Sequence, residues 1–286
     1  PTWDKLIRTL NEHEIVSADT RTAVTNLLDS ESNPSSELFD KEAAAQLLED
    51  ELSTSLPQAL KKALQPRSDV GDKRVLNRKN LLGQIPFQAI LTTNFDDYLQ
   101  STSFSSNKYS EVLNPTERRW VDSVAWESQG GESTVPIVKL HGQLSTDDLE
   151  NDVVLSRSGY RKLLFERPDY ANFLKALLVT RTVLFIGFSF SDAYLNLLRS
   201  EVLSLVRGDG SSAPMAYAIM NDLTDEACSY LLKHEGIHPI RYSTDEVDGD
   251  PDHSGFDDLL TDLSTATNPE SSVSEILAGK HILWLD

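Results

Sequence analysis

The pattern of apolar and polar positions changes near residue 87. Before it, apolar residues recur at helical spacing, and Trp3, Leu6 and Leu10 share one face of a predicted helix. After it, short apolar runs alternate with longer amphipathic stretches. The short runs predict strands at 87–92, 136–141, 182–187, 215–220 and 237–242. Short strands that alternate with helices are typical of an α/β fold with a Rossmann-like parallel sheet flanked by helices.

The amphipathic stretches between these strands predict the flanking helices. They lie at 95–99, 158–165, 168–179, 193–206, 225–234 and 255–263. The first eighty or so residues instead predict consecutive helices, with Ser17 placed to cap the second of them. We interpret residues 15–80, approximately, as a largely helical insertion or cap on the sheet.

A polar stretch near the C-terminus indicates where the domain is expected to end. Residues 1–266 are interpreted as one α/β domain. The polar stretch 267–279 contains Pro269 and several serines, which favours a linker. The apolar run within 280–286 resembles an opening strand, and we expect it to begin a further domain.

Charge and composition narrow the classes of partner. The 286 residues carry a net charge of -19, which repels phosphate backbones and disfavours direct nucleic-acid binding. No apolar run approaches the roughly 20 residues that cross a bilayer, and the N-terminus lacks a signal-peptide pattern. We therefore expect no membrane association and a cytoplasmic protein. Cys228 is the single cysteine, so a cysteine-rich zinc site is excluded.

Polar residues directly follow three of the predicted strands. The motifs are Thr92-Thr93-Asn94-Phe95-Asp96, Leu140-His141-Gly142 and Gly187-Phe188-Ser189-Phe190-Ser191-Asp192. In an open parallel sheet, residues past the carboxyl ends of the strands line the ligand crevice. An amide, a carboxylate and an imidazole are therefore expected to converge on one ligand.

Each motif alone also has a purely structural interpretation. Asn94 and Asp96 can cap the next helix, and so can Asp192. The His141-Gly142 pair can form a turn at a strand end. The acidic run 245–258, which includes His253, is interpreted as a solvated loop rather than a metal site. The occurrence of three motifs in order, each behind a strand, favours a ligand site.

This ordered set resembles the sirtuin-like family, in which Thr-Gln-Asn-Ile-Asp, His-Gly and Gly-x-Ser follow one another. The segment from Val154 to Tyr160 resembles the bacterial and archaeal branch, whose members include NAD-consuming effectors of antiphage defence. The resemblance implies NAD as substrate, with Asn94 and His141 as the catalytic residues.

The same resemblance assigns roles to the other motif residues. It implies that Asp96 lies near the nicotinamide carboxamide, that Thr92 and Thr93 shape the pocket, and that Gly187 and Ser189 contact the adenosine side. No metal ligand is implied, because the paired cysteines of zinc-containing deacetylases are absent.

The chain also departs from the family pattern. The opening strand and the Gly-Ala-Gly-x-Ser turn are not in this sequence, and Pro1-Thr2-Trp3 resembles the end of the following Gly-Leu-Pro-x-Trp motif. We therefore expect a piece of a longer polypeptide that works as a homo-oligomer with further domains. The expected function is cleavage of NAD to nicotinamide and ADP-ribose. The alternatives are a non-catalytic module that binds NAD or ADP-ribose or serves assembly, and ADP-ribosyl transfer to a macromolecule.

Overall fold

The structure is a computed structural model that resolves two compact units. It describes residues 3–29, 37–64, 73–95, 99, 111–113, 136–142, 144, 153–188, 190, 193–206, 214–247, 250–267 and 281–285. One unit comprises Pro1–Val70 and His141–Pro168, and the other comprises Gly71–Leu140 and Asp169–Asp286. We call the first the helical unit and the second the sheet unit.

The described part of the helical unit is built from helices. These are α1 (Trp3–Asn11), α2 (Ala18–Asp29), α3 (Glu37–Leu52) and α4 (Leu56–Ala63), with α5 following in the sheet unit (Lys73–Gln84) and α6 returning to the helical unit (Arg157–Arg161). Ile7, Val24, Leu48 and Leu60 are fully buried between the helices. The predicted cap of α2 is confirmed, because the Thr20 amide donates to Ser17 Oγ at 3.3 Å.

The sheet unit contains a parallel sheet of seven strands. The strands are β1 (Ala89–Thr92), β2 (Glu111–Leu113), β3 (Pro136–Lys139), β4 (Thr182–Ile186), β5 (Ala216–Asn221) and β6 (Ile237–Tyr242), completed by His281–Leu285. A separate antiparallel pair consists of β7 (Asp245–Val247) and β8 (Asp250–Asp252), so the C-terminal strand is β9. The order is β2-β3-β1-β9-β4-β5-β6, and each pairing within it is parallel. All five predicted strands of the sheet are confirmed to within two residues at their ends.

Helices flank the sheet as the sequence pattern predicts. They are α7 (Pro168–Thr180), α8 (Ala193–Val206), α9 (Asp225–Tyr230) and α10 (Ser254–Ala266), and π-helical turns continue α6 to Glu166 and α9 to Glu235. The core joins strand residues such as Ile90, Ile137 and Ile186 with Leu82 of α5 and Leu260 of α10. α5 and α10 pack against each other.

α5 lies mostly within the segment predicted as helical, although it is not predicted as a separate helix, and α10 confirms the helix predicted at 255–263. Two features lie outside the predicted pattern, and one of them is the additional strand β2. The other is the acidic run 245–258, interpreted above as a loop, which contains the β7–β8 pair. That interpretation is wrong for the backbone, because its ladder pairs Asp245 with Asp252.

The C-terminal strand pairs on both sides within the sheet. Ile282 lies beside Ala89 of β1 and Val183 of β4. The strand itself is confirmed, whereas its role as the start of a further domain in a longer polypeptide stays a prediction. The expected linker 267–279 lies outside the described residues except for Thr267, and the predicted helix at 95–99 lies mostly outside them.

Candidate functional site

Asn94 projects from the carboxyl end of β1. Thr92 is fully buried and Phe95 is 6% exposed, whereas Asn94 between them is exposed. The Asn94 amide donates to Thr92 Oγ1 at 3.1 Å, which turns the backbone at the strand end. The side-chain amide of Asn94 therefore points away from the core of the sheet.

Lys139 at the end of β3 stabilises this turn through a buried hydrogen bond. Its side chain is 1% exposed, and Nζ donates to the Asn94 carbonyl at 3.2 Å. The next residue, Leu140, donates its amide to the Thr92 carbonyl at 2.8 Å. A buried ammonium requires such hydrogen bonds to offset its desolvation. Sequence reasoning missed Lys139, although a lysine inside an otherwise apolar strand is a visible signal.

His141 begins the second segment of the helical unit. Its Nε2 lies 2.5 Å from Tyr160 Oη, and its carbonyl accepts a hydrogen bond from the Val154 amide at 2.8 Å. The imidazole is half-buried. Gly142 follows with a φ of 86°, a conformation that disfavours other residues, so the chain turns sharply directly after His141.

A cleft of about 430 Å³ lies along the carboxyl ends of β4, β5 and β6. This volume falls in the range of small-molecule sites, roughly 300–1,000 Å³. Gly187, whose φ is 69°, turns the chain at the end of β4 and lines the cleft. The other lining residues are Arg78, Ile186, Phe188, Ile219, Met220, Asn221, Tyr242, His253 and Phe256.

Polar groups at the wall of this cleft are paired with one another. Arg78 Nε lies 2.5 Å from Asp257 Oδ1, and Nη2 donates to the His253 carbonyl at 3.1 Å. The Arg78 guanidinium also lies over the Phe256 ring, 5.1 Å from its centre. Because Asp257 balances the charge of Arg78, this wall offers an aromatic side chain beside a compensated ion pair.

A second pair joins β6 to the start of α10. Tyr242 Oη lies 2.9 Å from His253 Nδ1. Burial raises the pKa of the Tyr242 phenol, which therefore stays protonated at neutral pH. His253 thus lines the cleft, which sequence reasoning missed by placing it in a solvated loop.

The residues predicted from the strand-end motifs fall into three groups. Thr92, Thr93 and Asn94 lie together at the end of β1. Gly187 lies in the cleft, and His141 belongs to the helical unit. Asp96 and Ser189 lie outside the described residues.

In the part of the chain that the structure describes, no three His, Cys, Asp or Glu side chains are grouped so that they could hold a metal ion. None of the described helices combines the length and apolarity needed to cross a membrane.

A parallel sheet flanked by helices defines an α/β protein, and the cleft lies where open sheets of this class place their ligands. A family model described as "SIR2-like domain" matches residues 88–240, which is more than half of the chain. The chain belongs to this SIR2-like domain family, and the matched range contains all three strand-end motifs.

Curated relatives match at low identity over part of the chain. An "NAD(+) hydrolase ThsA" from Bacillus cereus (strain MSX-D12) is 26% identical over 129 residues, which are 45% of this chain and 25% of the relative. The protein of the same name from Enterococcus faecium is 29% identical over 130 residues, 44% of this chain and 25% of the relative. "Defense-associated sirtuin 2" from Bacillus subtilis is 25% identical over 116 residues, 41% of this chain and 11% of the relative.

The match spans a quarter or less of the length of these relatives. The resemblance to the sirtuin-like family, in its NAD-hydrolase and defence-associated branch, is confirmed by the family match and by the names of the relatives.

Proposed function

We propose that this chain is the NAD-cleaving part of a defence protein, which hydrolyses NAD to nicotinamide and ADP-ribose and so depletes the cell of NAD. The observation that carries the proposal is the family match over residues 88–240, since it spans the motifs of Asn94, His141 and Gly187. The names of the relatives support the substrate.

The reaction breaks the bond between the nicotinamide nitrogen and the anomeric carbon of ribose. The departing nicotinamide takes the bonding electron pair, and the ribose passes through an oxocarbenium-like transition state, as in glycoside hydrolysis. Water then adds to the anomeric carbon and loses a proton. We assign to the Asn94 amide the ordering of this water or of the ribose hydroxyls, and to His141 the acceptance of the proton.

The remaining motif residues take the roles that the resemblance assigns. Asp96 lies near the nicotinamide carboxamide, and Thr92 and Thr93 shape the pocket. Gly187 and Ser189 bind the adenosine side. Gly187 lines the cleft along β4, β5 and β6. This supports the last role, because the cleft has the volume and the aromatic wall that a nucleoside needs.

The first experiment measures release of nicotinamide from NAD by chromatography. Asn94→Ala and His141→Ala are each expected to lower kcat by about 100-fold or more, since each removes a group that acts at the reacting bond. Asn26→Ala and His238→Ala remove the same side chains from exposed positions and are expected to leave kcat unchanged. Melting temperatures of all four variants show whether the fold is intact.

Calorimetry separates hydrolysis from the non-catalytic alternative. A binding module takes up NAD or ADP-ribose with heat of binding and returns NAD unchanged. The proposal fails if neither this chain nor a longer polypeptide that contains it releases nicotinamide while its fold is intact. Labelled NAD that leaves its label on protein or nucleic acid would identify ADP-ribosyl transfer instead.

Constant hydrolysis would be lethal to the host, so we further propose that activity in the cytoplasm is controlled by homo-oligomerisation or by other domains of a longer chain. The helical region up to residue 80 and the segment beginning at Lys280 are the candidate elements for this control. Light scattering of the active and inactive forms tests it, and equal masses with unequal activity would exclude control by self-association.

A further inference from the structure

The imidazole of His141 is held by a tyrosine of its own unit. Tyr160 Oη lies 2.5 Å from His141 Nε2 and 3.4 Å from Nδ1. The two rings meet edge to face, with centres 4.9 Å apart and an interplanar angle of 78°. The hydroxyl and the ring of Tyr160 thus both contact the same imidazole.

The backbone around Tyr160 is fixed independently of this contact. Ser156 is 1% exposed and caps α6, because its Oγ accepts a hydrogen bond from the Gly159 amide at 3.3 Å. The Tyr160 amide donates to the Ser156 carbonyl at 3.1 Å. Tyr160 therefore lies in the first turn of a capped helix. The helix backbone, independently of the imidazole, sets the direction of the tyrosine side chain.

Two further bonds tie this helix to its surroundings. The Ser158 amide donates to Gln46 Oε1 of α3 at 3.3 Å. Just before the helix, the Val154 amide donates to the His141 carbonyl at 2.8 Å. His141 is consequently held at its backbone by Val154 and at its ring by Tyr160.

We propose that Tyr160 is a positioning residue that fixes the orientation of the His141 imidazole for proton transfer. This inference rests on the proposed function, in which His141 accepts the proton. A neutral imidazole has one donor and one acceptor nitrogen, and the hydrogen bond made by one nitrogen sets the role of the other. For His141 to accept the proton, Nε2–H donates to Tyr160 Oη and the lone pair on Nδ1 takes the proton. The same Nε2–H bond to Oη is kept in the protonated ring.

Tyr160→Phe tests the proposal with the smallest change. It removes the hydroxyl and keeps the ring that packs on the imidazole. We expect kcat for nicotinamide release to fall about tenfold to hundredfold, with KM changed less than twofold, because binding is kept and orientation is lost. Tyr230→Phe is the matched control, since it removes a hydroxyl bonded to Glu235 on the exposed surface of α9 and is expected to leave kcat unchanged.

Nitrogen-15 NMR of labelled histidine provides a readout that needs no turnover. Tyr160→Phe is expected to shift the ring nitrogens of His141 and to leave those of His253 in place. Tyr242→Phe should do the reverse, because Tyr242 Oη pairs with His253 Nδ1 at 2.9 Å. The two variants thus serve as controls for each other.

The outcomes separate this proposal from the proposed function. A lower kcat together with a shift at His141 supports the positioning role. An unchanged kcat overturns it, and so does a higher kcat, which would show that the hydroxyl obstructs the site. An unshifted His141 spectrum overturns the contact itself. If the wild-type chain and the longer polypeptide both leave NAD intact, the proposed function fails and the positioning role fails with it, while the spectrum still tests the contact.

Discussion

Among single residues, Lys139 combines deep burial with a contact to a proposed catalytic residue. Its ammonium donates to the Asn94 carbonyl from a side chain that is 1% exposed. Removing one partner of a buried hydrogen bond leaves the other partner unsatisfied, at a cost of about 1–3 kcal/mol. Lys139 thus both satisfies the Asn94 carbonyl and fixes the turn that carries Asn94.

Lys139→Met is therefore expected both to loosen this turn and to destabilise the fold. The variant keeps most of the apolar stem and loses a hydrogen bond from a charged donor, worth about 1.5–3 kcal/mol. Hydrogen exchange followed by mass spectrometry should show faster exchange in peptides covering residues 92–95, and nicotinamide release should slow. Lys175→Met, which removes a surface partner of Glu201, is the control. Unchanged exchange at 92–95 would contradict the role assigned to Lys139.

At the scale of secondary-structure elements, an ion pair between Arg199 and Glu235 fixes the turn that leads into β6. Arg199 of α8 places Nη2 2.6 Å from Glu235 Oε2 and donates through Nη1 to the Glu235 carbonyl at 2.7 Å. Glu235 ends the π-helical turn after α9, and Gly236 follows with a φ of 68°. The pair thus holds the turn at which the chain enters the edge strand of the sheet.

The pH dependence of this pair has a definite sign. The Arg199 guanidinium holds the pKa of the Glu235 carboxyl below its ordinary value of 4.5. The carboxylate therefore stabilises the fold above that value, and this contribution is lost as the pH falls through the lower, folded-state pKa. Glu235→Gln is expected to lower the free energy of unfolding by about 1–3 kcal/mol at neutral pH.

Urea unfolding of Glu235→Gln and wild type at neutral and acidic pH measures this difference. It should shrink as the pH falls below 4.5 and through the lower, folded-state pKa, where the wild-type carboxyl becomes protonated as well. Glu201→Gln removes the partner of Lys175 from an exposed pair and should change stability little at either pH. A difference that is the same at both pH values would show that packing, rather than the ion pair, is responsible.

How well the sequence predicts an element of the fold depends on the type of element. β4 and β5 were predictable because buried parallel strands are short, continuous apolar runs. α5 lies mostly within the segment predicted as helical but was not predicted as a separate helix, because Lys73–Gln84 is mostly basic and polar. Packing against α10, rather than a strong apolar stripe, supports it. β2 is only three residues long and leaves almost no pattern to detect.

The same logic divides the candidate site. The positions of Asn94 and Gly187 at strand ends were predictable from the apolar runs before them, whereas their roles stay predictions. The same rule applied to Asn221 at the end of β5 would have found this residue of the cleft. Arg78 and Phe256 come from α5 and α10, which are far apart in sequence. Only the tertiary packing of these helices brings the two side chains to the cleft, so no local pattern could reveal them.

For the molecule as a whole, the dominant long-range force is repulsion among carboxylates. The 45 acidic residues outnumber the 26 basic residues and give a net charge of -19. Some of these carboxylates are compensated locally, as Asp257 is by Arg78 in the sheet unit. The large remaining excess destabilises any compact state through self-repulsion.

The melting temperature is therefore expected to rise when KCl is added. The screening length falls from about 10 Å at 0.1 M to about 3 Å at 1 M, so repulsion between separated carboxylates is lost first, while close pairs such as Arg199–Glu235 are weakened less. Calorimetry over this range of KCl measures the effect, and sucrose at equal osmolality controls for exclusion of solute from the surface. The rise should be smaller at about pH 4.5, where many Asp and Glu side chains are protonated. A melting temperature that stays constant or falls with KCl at neutral pH would show that self-repulsion does not limit the stability of this acidic chain.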